Sequence, residues 1–582
     1  MKQNKLIINC SETDTVIKAL AAHPYIAALA VCLLINPFYL GAYTNVPNNA
    51  LMLECILVFS GVCFVLHRLY KIEKFKKRQV QILAGIFLCL VIIGANLYNR
   101  SQSKGVWLFV GGCALLLLIY CNADTKNYKE QLTALLIIGI SFLLKFYYVF
   151  YTSVYTRQQD VGLFGDEDSH AGYIEYLLFN HQLPDFDVRD RWQFCHPPLH
   201  HAISALWIYI NENIFGVGHD PARESLQTLT LFYSMTIIIS AYKIFKHFKL
   251  RGTALYIPLI ITAFHPVFII LSGSINNDVL SVAFVMGAVV CTLKWYENQT
   301  LKNILKIALC VGLGMMTKLS AALVAPPIAV IFLVVFIRKI KTDGSKLLGQ
   351  YAAFGAVCIP LALWFEIRNL IKFDVPITYV QEMDTNQLQY IGDQSFISRI
   401  TDFSPHQLSS VFQQWAAWND NGEITGYNEY NPLIALLKNS IFGEFINKDC
   451  IPEGSYILKF CTVLFWVAVL LAVIAFIAMI VSAFSKKCGS LMPKLFMIVF
   501  YLVLMVNFYK LAKDYPFTCS MNFRYITPTA IIGALFYGVL IQRFNDSNSK
   551  ISAAAIKIMS VTAMVFALLV TSVYIEVCLA TK

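Results

Sequence analysis

Residues 199–217 read LHHAISALWIYINENIFGV, and whether this run crosses a bilayer decides the arrangement of everything after it. The run is apolar enough to tempt a span. His200, His201, Asn211, Glu212 and Asn213 break it at both ends, however, and leave fewer apolar residues than the ~20 a helix needs to cross the hydrocarbon core. A helix lying in the membrane interface fits better. The loop charges agree with this. KIEKFKKR at 71–78, KHFKLR at 246–251, RKIKTDGSK at 338–346 and SKKCGSLMPK at 485–494 all become cytoplasmic when 199–217 stays out of the membrane and the N-terminus is inside. Counting it as a span would invert every later loop and put KHFKLR outside.

Outward from this segment the chain is mostly apolar. Hydrophobic residues make up 57% of 582 and charged residues 14%, with mean hydropathy +0.60, against about 45–50% apolar and about 25% charged in soluble domains. Apolar runs of span length lie near 25–43, 51–69, 79–98, 106–121, 132–153, 226–245, 253–272, 279–295, 302–317, 319–337, 348–366, 456–483, 491–511, 526–543 and 553–579. The fold class is therefore an all-α polytopic membrane protein of about 13–16 transmembrane helices, with interfacial helices in the first large external loop. The net charge of +11 sits in short groups between apolar runs, which suits positive-inside loops rather than nucleic acid. Most of the 16 cysteines fall inside apolar runs and read as small hydrophobes. Cys195, Cys450 and Cys519 lie in external loops without a pairing pattern. The polar first twenty residues and the spans that follow suggest an uncleaved anchor.

Four sections follow from the polar breaks. Residues 1–125 form an accessory bundle of four spans, 126–366 a core that includes external loop 154–225, 367–455 an external cap, and 456–582 the C-terminal helices. External loops hold nearly all the remaining acids, histidines and tryptophans, so the polar chemistry collects on one face.

GDEDSHAGYIEYL at 165–177 places Asp166, Glu167, Asp168 and His170 within five residues directly after a span. Acids this close repel one another, which raises at least one pKa or recruits a cation, so a general base or a divalent cation site involving Asp166, Asp168 and Asp278 are both open. Capping acids in a solvated loop are the plainer explanation. A helix starting here would put His170 and Tyr173 on one face. QFCHPPLHH at 193–201 aims His196 rigidly through Pro197-Pro198, which also suit a helix start. No zinc spacing such as HExxH accompanies these histidines.

The order of these elements resembles a known family. A span, then Asp166-Glu167 with His170 and Tyr173, then Leu183-Pro184, then Pro197-Pro198-Leu199, is similar to the GT-C superfamily of membrane glycosyltransferases, in particular the protein mannosyltransferase and aminoarabinose transferase branch, glycosyltransferase family 39. SINND at 274–278, MMTKLSA at 315–321, RNLIKFDVP at 368–376 and FRYITP at 523–528 follow in register; residues 1–125 are not covered. The resemblance implies a polyprenyl-phosphate sugar donor, a glycan, lipid or protein acceptor, inversion, and an active site on the outer face of the membrane. It implies Asp166, with Glu167 beside it, as the base. Substrate contacts would come from His170, Tyr173, His196, Asn277, Asp278, Lys318, Arg368, Arg524 and Tyr525, with Arg524, Lys318 and Arg368 as cations for the lipid phosphate. No cofactor is required beyond a divalent cation, if one binds. Headgroup snorkelling is the plain alternative for Arg368 and Arg524, and helix capping for Asn277 and Asp278. His196 stands where relatives carry Lys or Gln, and Asp168 is an extra acid, which leaves open which of three acids is the base. Trp415, Trp418, Tyr427 and Tyr430 in the cap suit sugar faces or a membrane interface equally.

The rival from another class is a transporter or lipid flippase, in which acids and histidines form a proton relay. Such a relay belongs at mid-membrane within broken helices. A membrane hydrolase is the third reading, and it lacks a nucleophile elbow or zinc pair. The expected location is a bacterial plasma membrane.

Overall fold

The computed structural model describes residues 22–43, 109–114, 116, 125–158, 162, 164–451, 455–483, 490–547 and 549–579. The spans expected near 51–69 and 79–98, most of that at 106–121, the basic loop 71–78 and hence most of the accessory bundle lie outside the described residues.

The long apolar runs form helices, and the interior prolines Pro37, Pro258 and Pro360 are accommodated within them. The order begins with α1 (Pro24–Tyr43) and α2 (Thr125–Tyr151). Three short helices follow α2, before the next long helix: α3 (His170–Asn180), α4 (Leu199–Asn213) and α5 (His219–Glu224). Then come α6 (Leu226–His247), α7 (Thr253–Ala263), α8 (Pro266–Gly273), α9 (Asp278–Glu297) and α10 (Leu301–Thr317). A 3₁₀ turn at Leu319–Val324 leads into α11 (Ala325–Phe373). The cap holds α12 (Phe396–Thr401), a small antiparallel hairpin of β1 (Ala417–Trp418) and β2 (Ile424–Thr425), and α13 (Pro432–Phe442). The chain ends with α14 (Ile457–Ala483), α15 (Leu491–Asp514), two 3₁₀ turns at Thr518–Met521 and Phe523–Ile526, α16 (Pro528–Asn545) and α17 (Lys550–Leu579). Among the described residues seven helices are long and apolar enough to cross a bilayer, or up to nine when two bent pairs count as single spans.

Two of these elements depart from straight helices. The backbone of α11 leaves helical geometry at Asp343 (φ −128°). Beyond it the chain folds back: Tyr351 Oη donates to the Phe332 carbonyl at 2.7 Å, and their rings stack at 5.1 Å. In a straight helix these residues would be about 28 Å apart. The runs at 319–337 and 348–366 are therefore the two arms of a hairpin. Trp295 of α9 packs into it, donating to Gln350 Oε1 at 2.8 Å.

The run at 253–272, expected as one span, instead bends by 45° between α7 and α8. Pro266 has no N–H to continue the ladder and clashes with the preceding turn, so a new helix starts there. The carbonyls freed at the end of α7 need donors inside the bundle. Fully buried Lys145 of α2 supplies one: its Nζ donates to the Ala263 carbonyl and to Ser141 Oγ, both at 2.6 Å, and Ser141 donates to the same carbonyl at 2.6 Å.

Two of the basic loops, 246–251 and 338–346, lie at one end of the bundle. There Lys246 pairs with Glu130, His247 lies 3.5 Å from Glu297, and Lys339 donates to Gln299 at 2.6 Å. Helices α3–α5, residues 274–278 and 317–318, the end of α11 and residues 516–526 gather at the other. The interfacial reading of 199–217 holds. At 15 residues α4 is too short to span, and it buries His200, His201, Ser204 and Asn211 on its inner face while Leu206 and Tyr209 are exposed.

Candidate active site

The acidic loop precedes α3, and its geometry is fixed by that helix. Ser169 caps α3 by accepting the Gly172 N–H at 2.9 Å. Asp166 Oδ1 accepts the Asp168 N–H at 3.1 Å, and the Asp166 carbonyl accepts the Ser169 hydroxyl at 3.1 Å. All three acids are exposed, but they differ: Glu167 is already paired with Arg191 at 2.8 Å. A Cβ at Gly172 would stand 2.2 Å from the Asp166 carbonyl oxygen and 2.9 Å from that of Glu167. Helix propensity alone favours alanine over glycine by about 0.5–1 kcal/mol. The contact reverses the sign: Gly172→Ala is expected to cost about 1–3 kcal/mol and to shift the acidic loop, seen as a lower unfolding midpoint together with lost activity.

Behind the loop lies a group of imidazoles, buried at His170, His200 and His201 and partly exposed at His196. His170 Nδ1 and His201 Nε2 are 2.9 Å apart, the His170 and His196 rings stack at 5.3 Å, and Tyr173 stacks on His201 at 4.3 Å. His200 Nε2 donates to the Ile275 carbonyl at 2.7 Å, which ties α4 to the SINND segment. Desolvation pushes all four down: His196 to about 3, His200 to about 4, and His170 and His201 well below the usual imidazole value, with Lys318 adding for His170 and His196. They are neutral in the folded protein at pH 7. An unfolded histidine protonates as pH falls through about 6.5, so this stability is complete above that value. It is lost on acidification toward about 4, at about 1.4 kcal/mol per pH unit for each histidine. The unfolding midpoint is expected to fall between pH 6.5 and 5, less steeply in His200→Gln; a flat profile would contradict this.

Next to the imidazoles is an ion cluster built from three distant segments. Asp278, in the first turn of α9, meets Lys318 Nζ at 2.5 Å and Arg524 Nη1 at 3.5 Å. Lys318 occupies the break between α10 and the following 3₁₀ turn. Arg524 lies in the 3₁₀ turn before α16 and donates to Tyr525 Oη at 2.8 Å. Both cations also lie over the Tyr525 ring, at 5.3 and 4.9 Å. Asn277 donates to the Thr317 carbonyl at 3.2 Å, holding the two segments together, and its side chain makes no capping bond. A cavity of about 30 Å³ opens on Asp278, Ser281, Ser320, Arg524 and Tyr525, room for one or two water-sized groups. Two cations over one carboxylate leave net positive charge at a buried site, which favours an anion.

Arg368 is posted elsewhere. Its guanidinium donates to the Pro184 carbonyl and, at 2.7 Å, to Asn369 Oδ1, and it lies over the Phe365 and Phe373 rings. From the C-terminal end of α11 it clamps the Leu183-Pro184 turn rather than joining Lys318 and Arg524. The carboxylates named for a cation are not assembled either. Asp278 is buried between two cations while Asp166 and Asp168 are exposed, and among the described residues no group of three or more His, Cys, Asp or Glu is arranged to hold a metal ion.

The cap docks on the segment that carries Arg524. Thr518 N–H donates to the Gln389 carbonyl at 3.0 Å, Ile391 N–H to the Pro516 carbonyl at 3.1 Å, and buried Arg399 to the Ala512 carbonyl at 2.8 Å. Trp418 on the hairpin is exposed, whereas Tyr430 hydrogen-bonds Asp402 and Trp415 packs on Phe445. Cys195, Cys450 and Cys519 are free thiols. Sequence reading missed Asn439, Glu444 and Asn522. Phe523 N–H donates to Asn439 Oδ1 at 3.0 Å and Asn522 Nδ2 to Glu444 Oε2 at 3.2 Å. Burial pushes the Glu444 carboxyl up to about 7, and the Asn522 bond opposes that rise.

Residues 195–364 match the model of the family described as dolichyl-phosphate-mannose-protein mannosyltransferase. That stretch runs from just before the Pro-Pro pair into the C-terminal arm of α11 and contains Asn277, Asp278 and Lys318. It bears out the resemblance read from the motifs. Two solved structures are similar in fold. ArnT from Cupriavidus metallidurans bound to undecaprenyl phosphate is 11% identical, with 79% of this chain and 77% of that one covered and a TM-score of 0.45. The archaeal oligosaccharyltransferase AglB from Archaeoglobus fulgidus, in complex with an inhibitory peptide and a dolichol-phosphate, is 13% identical, with 78% and 56% covered and a TM-score of 0.45. No curated protein matches the chain.

Proposed function

We propose that this chain, with its mannosyltransferase-family segment at 195–364, is a membrane glycosyltransferase. It takes a sugar from a polyprenyl-phosphate donor and passes it, with inversion, to an acceptor on the non-cytoplasmic face of a plasma membrane. One observation carries the reading: the buried Asp278 is flanked by Lys318 and Arg524 beside a small cavity at the polar end of the bundle. A leaving lipid phosphate needs such cations on its oxygens as the bond to the anomeric carbon breaks. The phosphate would draw Lys318 and Arg524 partly away from Asp278.

Asp166 is the base in this reading. It takes the proton of the acceptor hydroxyl while the anomeric carbon becomes oxocarbenium-like. Its carboxylate is exposed to an incoming acceptor, whereas Glu167 is held by Arg191. An apolar cavity of about 530 Å³ between α7 and α13–α17 suits the isoprenoid chain, and Phe523, next to Arg524, lines it. Acceptors of the glycan, lipid and protein classes all fit an open outer face. A transporter relay would need its acids at mid-membrane, and these stand at one end.

Mass analysis of lipid-linked sugars in cells lacking the protein tests the reading. A polyprenyl-phosphate sugar should accumulate; an unchanged pool would contradict it.

A further inference from the structure

Arg524 sits on a four-residue 3₁₀ turn, Phe523–Ile526, between the end of α15 and the start of α16. So short a turn has little rigidity of its own. Its orientation comes from the side chain before it: Asn522 Oδ1 accepts the Arg524 N–H at 3.0 Å and so caps the turn. An amide presents oxygen on one side and NH₂ on the other, and which faces the turn depends on what the opposite side meets. Here it meets Glu444 Oε2 at 3.2 Å. Glu444 offers an acceptor oxygen whether its carboxyl is ionised or protonated, and with the Arg524 N–H on the other side Asn522 turns its NH₂ toward Glu444 and its oxygen toward Arg524.

Glu444 and Asn522 are both buried, at 5% and 1% exposure, and a lone carboxylate in such a place is costly. It lies two residues past α13, where Gly443 (φ 63°) reverses the chain. A second bond from the same element, Phe523 N–H to Asn439 Oδ1, seats the start of the turn. The external cap thereby reaches the ion cluster through one acid and two amides. Cys519, Tyr525, Arg524 and Asp278 are the other charged or titratable groups facing this corner.

We propose that Glu444 is a positioning residue for the lipid-phosphate site: through Asn522 it sets the turn that aims the Arg524 guanidinium, and so couples the external cap to donor binding. The proposal rests on the reading of Arg524 as a phosphate ligand.

The test is titration of the full-length, detergent-solubilised protein with undecaprenyl phosphate, followed by tryptophan fluorescence, alongside thermal unfolding. Four proteins are compared: wild type, Glu444→Leu, Glu444→Gln and Arg524→Gln. Leucine fills a similar volume without an acceptor: it removes a costly buried carboxylate and leaves the Asn522 NH₂ unpaired, effects on stability of opposite sign. Glu444→Leu is expected to weaken binding about tenfold with an unfolding temperature close to that of wild type. Glu444→Gln, which keeps an acceptor oxygen, is expected to stay within about threefold of wild type. If Glu444→Leu binds like wild type while Arg524→Gln is weakened, the role of Glu444 is overturned and the phosphate site stands. A Glu444→Leu protein that unfolds at lower temperature, with no recovery in Glu444→Gln, reduces Glu444 to a structural part and also overturns it. If Arg524→Gln binds like wild type, the phosphate lies elsewhere and both readings fall.

Discussion

Replacing Asp166 by asparagine lowers sugar transfer by about 10²–10⁴-fold, the range a general base contributes, with donor binding and folding intact. The substitution is nearly isosteric. An asparagine oxygen still accepts the Asp168 N–H that closes the turn, a bond of 3.1 Å in the native loop, and the carbonyl that receives the Ser169 hydroxyl is main chain. Only the ability to take a proton is lost. The neighbouring acids serve as internal comparisons. Glu167→Gln should cost far less, because that carboxylate already spends its charge on Arg191 at 2.8 Å. Asp168→Asn should fall between. Transfer measured from a lipid-linked sugar under single-turnover conditions separates chemistry from binding. Full activity in Asp166→Asn would remove this residue from the mechanism, and a larger loss in Asp168→Asn would move the base there.

The second large effect falls on the phosphate side. Arg524→Gln is expected to lower kcat/KM by about 10²–10³-fold, the size of losing one preorganised donor to developing negative charge. The mutation does not strand Asp278, which keeps Lys318 at 2.5 Å, so the fold should survive. Arg524→Lys should recover little: an ammonium is a point donor and cannot span two phosphate oxygens as a guanidinium does. Kinetics with varied donor at fixed acceptor show the loss. Near-normal kcat/KM in Arg524→Gln would mean that this guanidinium serves only to hold Tyr525 and Asp278.

Much of this arrangement is legible in the chain. The polar breaks at His200–His201 and Asn211–Asn213 identify α4 as interfacial, and the structure gives it 15 residues, with His200, His201 and Asn211 turned inward and Asn213 exposed. Of the four basic loops, those at 246–251 and 338–346 lie at the end of the bundle away from the acidic loop, while 71–78 and the first half of 485–494 fall outside the described residues. Asp278, Lys318 and Arg524 come from motifs far apart in the chain, and they meet. What escapes is set by pairings between distant residues. Nothing around Arg368 distinguishes a phosphate ligand from a clamp on Pro184, because both need a cation at the C-terminal end of α11. A single apolar run conceals the bend at Pro266, since the carbonyls that it frees are answered by Lys145 more than a hundred residues earlier. Glu444 is an isolated acid in a long loop, and it gains meaning only from Asn522, 78 residues later.

A structure of the protein with a polyprenyl phosphate bound tests the central claim most directly. The account predicts phosphate oxygens within about 3 Å of the Arg524 guanidinium, with Lys318 turned toward them and the isoprenoid chain in the cavity lined by Phe523. A phosphate bound elsewhere, with Asp278, Lys318 and Arg524 still paired as they are here, would contradict it.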